Sequence, residues 1–108
     1  MAEHHFGIME QPPKTGARYD TFEPEKYACI AVRDDDMDRV LNDIRIPCCW
    51  HRTDRLHEGL TETGISLIPP GSCEKMAEIL PEEKVFSALA ALLRRAAEQG
   101  KFVIHFGI

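Results

Sequence analysis

The sequence predicts an α+β domain, and three observations carry that prediction. Short runs rich in β-branched and aromatic residues recur along the chain, and stretches with helical spacing separate them. Pro- and Gly-containing turns mark the junctions. The composition, 44% hydrophobic and 29% charged over 108 residues, is that of one globular domain long enough to bury a core without staples. The expected unit is therefore a single domain, 1–108, in which 1–26 is an N-terminal strand and long surface loop and 27–108 is the core.

Phe6 to Met9 reads as a short strand, followed by Gln11-Pro12-Pro13-Lys14-Thr15-Gly16, which breaks any regular element. The polar connection extends to Glu25, long for a compact domain, with Tyr19 and Phe22 as anchors. Tyr27–Val32 is expected to be a strand with Ala28, Ile30 and Val32 on one face and Tyr27, Cys29 and Ala31 on the other. Met37, Val40, Leu41 and Ile44 then recur at helical period, and Asp34, Asp35 and Asp36 suit the N-terminus of that helix. Asp34, Asp36 and Asp38 match the first ligand spacings of a calcium loop. That reading fails because Arg39 and Arg45 stand where the loop needs Gly and a bidentate Glu.

Cys48 to Arg52 is the next strand, Thr53–Thr63 a polar loop, and Gly64–Ile68 a third core strand closed by Pro69-Pro70-Gly71. Ser72 is the expected N-cap of a short helix. An anion site on its free N–H groups has neither a Gly-rich cradle nor a P-loop Lys behind it. A longer helix is expected from Pro81, with Val85, Phe86, Leu89, Leu92, Leu93 and Ala96 as its buried stripe and Gly100 as its C-terminal stop. The final strand, Lys101–Ile108, should be built into the sheet, since a frayed end would leave Phe-Gly-Ile in water. Its tetrapeptide His105-Phe106-Gly107-Ile108 repeats His5-Phe6-Gly7-Ile8, which points to two similar strands in one sheet.

From Tyr27 the order is βαββααβ, which resembles the ferredoxin-like split βαβ arrangement. The resemblance implies a sheet with helices on one face, plus an extra N-terminal strand at an edge beside the last one. Ala28/Ile30/Val32 and Phe102/Ile104/Phe106 would then face the helices. The other face would stay open, carrying Tyr27, Cys29, either Cys49/His51 or Trp50/Arg52, Ser66 or its neighbour, and His105.

A net charge of −5 argues against nucleic acid as a partner, because phosphate binding needs clustered Lys and Arg. No apolar run is long enough to span a bilayer, and the first residues lack the features of a signal peptide. The cytoplasm is the expected compartment, with Cys29, Cys48, Cys49 and Cys73 reduced. Neither C-x-x-C nor a zinc-type spacing is present, so no cofactor or metal is expected.

Two functional classes follow. The first is an interaction or small-ligand-binding domain using an open face or edge, with Tyr27, Trp50, His51, Arg52 and His105 as binding residues and a protein partner or a second copy as occupant. The second is a small enzyme drawing on Cys49, His51, His57 and His105 as thiol, base or metal-assisting groups.

Overall fold

The computed structural model describes residues 2–108, so Met1 lies outside it. Six strands form one antiparallel sheet: β1 (Glu3–Ile8), β2 (Ile30–Arg33), β3 (Pro47–Trp50), β4 (Leu56–Glu58), β5 (Ile65–Ile68) and β6 (Val103–Phe106). Three helices accompany it: α1 (Asp34–Asp38), α2 (Pro70–Ile79) and α3 (Lys84–Gln99). No helix among the described residues is long and apolar enough to cross a membrane.

The strand order is β2-β1-β6-β5-β3-β4, which departs from the ferredoxin-like arrangement expected from element order. Two placements make the departure. β2 stands at the edge rather than between β6 and β5, which pair directly, and β1, instead of extending an edge, inserts between β2 and β6. Its partner was legible in the repeat: His5 pairs with Phe106, Phe6 with His105 and Gly7 with Ile104.

The faces of β6 are the reverse of the expectation. Val103 joins the helix-side core with Phe6, Val32, Cys48, Phe86 and Leu93. Ile104 and Phe106 lie on the far side with Met9, Cys49, Ile65 and Leu67. All four residues of β5 and of β6 are buried, so these strands have no wet face and alternation cannot report direction. The far face is not open. Tyr19, Tyr27 and Cys29 pack against it, and Phe22 meets the Phe106 ring edge-on at 5.4 Å.

Local propensity explains the smaller corrections. The helix expected through Ile44 stops at Asp38 and gives way to a 3-10 turn at Leu41–Asp43; Asp and Asn compete with the backbone and end it early. Tyr27 belongs to a 3-10 turn, Pro24–Tyr27, rather than to a strand. The loop at 53–63 contains β4. Ser72 lies inside α2, whose first residue is Pro70, and its hydroxyl donates to Pro47 O at 2.5 Å. The long helix begins at Lys84, after Pro81, and Val85 faces water. Gly100, at φ +66°, ends it in the left-handed region as expected.

Gly7 allows the far face to close. A Cβ there would stand 2.6 Å from Tyr27 O and 2.8 Å from Cys29 Sγ. Gly7→Ala should therefore cost about 1–3 kcal/mol in urea unfolding. Gly71, in the first turn of α2 with nothing within 4 Å of its Cβ position, serves as the control. Gly71→Ala should be neutral or stabilising by up to ~1 kcal/mol; equal losses at the two sites would show that close approach at Gly7 is not the cause.

Candidate functional site

The expected face shared by His51 and His105 does not exist, because the two histidines lie on opposite sides of the sheet. His105 joins a buried hydrogen-bonded chain on the helix side. Asp34 Oδ1 is 2.8 Å from His4 Nε2, and His4 Nδ1 is 2.8 Å from His105 Nε2. His105 Nδ1 is 3.1 Å from Ser66 Oγ, which accepts the Thr61 backbone N–H at 2.9 Å. The imidazoles are 10° from parallel with centroids 5.1 Å apart. Since that spacing is the N···N distance plus two ring radii, they meet edge to edge along their lone pairs rather than stacking.

Direction along the chain follows from donor and acceptor capacity. A carboxylate only accepts, so His4 donates from Nε2, and a neutral His4 accepts at Nδ1. His105 then donates from Nε2 and accepts the Ser66 hydroxyl proton at Nδ1. Every member is satisfied with both imidazoles neutral. Burial pushes His105 well below the ordinary histidine pKa, and the neighbouring His4 and then His5 add to the effect.

This chain has the residue types of a nucleophile and its base, but no substrate can reach it. His4, His105 and Ser66 are fully buried, and its one wet end is Asp34, 27% exposed. Asp34 was expected only as a helix-start carboxylate, and no side chain caps α1. His4 carried no sequence signal of its own beyond its place beside the His5–Ile8 repeat.

The other predicted residues are dispersed. His51, at φ +64°, clasps the N-terminal segment: its Nδ1 donates to Tyr19 O at 3.0 Å and lies 3.1 Å from Asp20 Oδ1. Trp50 donates from Nε1 to Gly59 O at 2.9 Å and stacks on His57 with centroids 4.0 Å apart. Arg52 pairs with Asp54 at 2.8 Å. Cys49 lies beneath the N-terminal segment with its Sγ toward Thr53 O at 3.5 Å. Among the described residues no thiol is hydrogen-bonded to a histidine. Nor do three His, Cys, Asp or Glu side chains among them form a group that could hold a metal ion.

Burial moves every thiol away from reactivity. Cys29 is pushed up to about 11, and Cys48 and Cys73 to about 12. Cys49 is raised as well, by burial and then by the Asp54 charge.

Only Tyr27 of the predicted residues borders the principal cavity. This space of about 530 Å³ lies between the segment from Ile8 to Ala28 and the last turns of α3. Met9, Tyr19, Tyr27 and Leu92 supply apolar and aromatic surface, while Lys14, Lys26, Arg95 and Gln99 supply polar groups. Sequence spacing could not find it, because the cavity is made by the two ends of the chain.

No protein-family model matches the chain, and neither a curated protein nor a solved structure is significantly similar to it.

Two expectations follow. The unfolded His105 takes up a proton as pH falls through about 6.5, whereas the folded one resists it. The unfolded state then holds more protons, so stability is complete above that pH and declines below it, toward the depressed folded value. Urea unfolding at a series of pH values should show this slope, and His105→Gln should flatten it. An unchanged slope would mean that other groups set the acid sensitivity. Separately, the native thiols should react with iodoacetamide at pH 7.5 far more slowly than in urea, with Cys29, the least buried, reacting first; rapid native alkylation of Cys49 would restore it as a nucleophile.

Proposed function

We propose that this domain binds a small molecule in the cavity between its N-terminal segment and α3. The observation that carries the reading is the cavity itself: about 530 Å³, with mostly apolar surface and with Lys14, Lys26, Arg95 and Gln99 among its polar lining residues, which is the size and mix of a ligand site. The segment that borders it is bonded to the body of the domain at two points. Met9 N donates to Phe102 O and Tyr19 N donates to His51 O, both at 2.8 Å. Tyr19, Tyr27 and Cys29 pack on the sheet.

The enzyme alternative has weaker support. A catalytic group must touch its substrate, and the Ser66–His105–His4–Asp34 chain is sealed while the thiols are buried and protonated at neutral pH. A satisfied polar chain of this kind favours one packing over others, because each orphaned member would cost about 1–3 kcal/mol. Four buried or half-buried free thiols fit a reducing compartment, and we place the protein in the cytoplasm on that ground.

A second reading, association with a protein or a second copy through the edge of β4, rests on one observation. Leu56 is 75% exposed. The bonds Trp50 N to Arg55 O and Gly59 N to Ile46 O, 3.0 and 2.8 Å, turn the peptide groups of His57 inward and leave those of Leu56 and Glu58 facing out.

Amide spectra recorded with a charge-balanced library of mono- and bicyclic fragments would test the binding reading. Shifts should cluster at Met9, Tyr27, Leu92 and Gln99, and Gln99→Trp, on an exposed helix face, should remove them. Shifts scattered over the surface would sink the proposal, and concentration-dependent shifts at Leu56–Glu58 without any ligand would favour the β4 edge.

A further inference from the structure

The charge around the cavity is opposite in sign to that of the protein. The chain has a formal net charge of −5, yet Lys14, Lys26 and Arg95 all border this space. The one carboxylate among its lining residues, Glu10, is already held 2.5 Å from Lys101 Nζ. Lys26 is partly engaged, 3.8 Å from Glu23 and 5.6 Å from the Tyr27 ring centroid. Lys14 and Arg95 make no ion pair among the described residues.

Each cation has an ordinary explanation taken singly. Arg95 suits the C-terminal part of α3, where the helix dipole favours positive charge, and a lysine in a turn is common. Their convergence has none. Like charges brought to one concave surface repel each other, and the cost is offset when an anion binds between them. The remaining wall is not that of a phosphate cradle: no Gly-rich turn supplies N–H groups, and Met9, Tyr27 and Leu92 present apolar surface.

We infer that the cavity takes an amphipathic organic anion, a carboxylate, sulfonate or phosphate monoester joined to a ring or a branched aliphatic body. This rests on the binding reading above and adds the ligand's chemical class. The anionic group lies between Lys14 and Arg95, which carry unspent charge, and the body lies against Met9, Tyr27 and Leu92. Gross acidity of the chain then works as a selector, since an anion is repelled elsewhere and attracted here.

Two fluorescent probes that differ by one group test the assignment on the full chain: 1-anilinonaphthalene-8-sulfonate and its neutral parent, N-phenyl-1-naphthylamine. The sulfonate should bind about tenfold more tightly, the size expected for two partly exposed charge contacts. Lys14→Gln combined with Arg95→Gln should abolish that preference without weakening the neutral probe, and added salt should shrink it. Gln99→Trp should weaken both probes. All three substitutions fall on exposed side chains, and circular dichroism would verify that the variants fold.

Equal affinity for the two probes, both sensitive to Gln99→Trp, would overturn the anion assignment and leave the cavity reading standing. Binding of either probe that ignores Gln99→Trp would overturn the cavity reading itself. Inorganic phosphate, which has charge but no apolar body, should compete poorly; competition as strong as that of unlabelled naphthalene-1-sulfonate would overturn the apolar half of the proposal.

Discussion

The constraint on which this structure depends is that β6 is buried on both faces. Val103 and His105 point into the helix-side core while Ile104 and Phe106 point away from it, and neither side can be left in water. Helices α2 and α3 cover the first side. The other is covered by the long connection after β1. That cover places Tyr19, Phe22 and Tyr27 over the sheet. It also makes Gly7 the point of closest approach, because a larger residue would hold the covering turn away from the strand.

The same burial sets the terms for the histidines. An imidazole inside a core is stable only if both nitrogens find partners and no charge is left unpaired. The insertion of β1 beside β6 supplies His4 for His105, the start of α1 supplies Asp34 for His4, and β5 supplies Ser66. The resulting chain joins four elements through side chains alone. Its residue types are those of acid–base catalysis, but its position makes it an internal fastening. Accessibility, not composition, decides between those roles.

The cavity is a by-product of the cover. Where the segment leaves the end of β1 and turns back toward β2, it spans the gap to the last turns of α3 without filling it. Groups from the two ends of the chain border it, and two of its three cations, Lys14 and Arg95, make no ion pair among the described residues. On the proposed reading, a protein whose overall charge repels anions has a concave place there that attracts them. The Trp50 side of the sheet differs in kind, since its neighbouring groove is bordered by Asp38, Glu58 and Glu62 as well as Arg45.

By itself the sequence determined the elements that local chemistry controls: an α+β composition, α3 with its buried stripe and its Gly100 stop, the core strands β5 and β6, and the kinship of the two His-Phe-Gly-Ile strands. These depend on periodicity, on turn residues and on a glycine's access to positive φ, all written within a few neighbouring residues. The tertiary structure alone decided strand order, the facing of β6, the covering of the far side, the meeting of His4 with His105, and the placing of Lys14 and Arg95 around one cavity. In a strand whose every residue is buried, alternation loses its meaning, and contacts between the two ends of a chain leave no trace in local spacing.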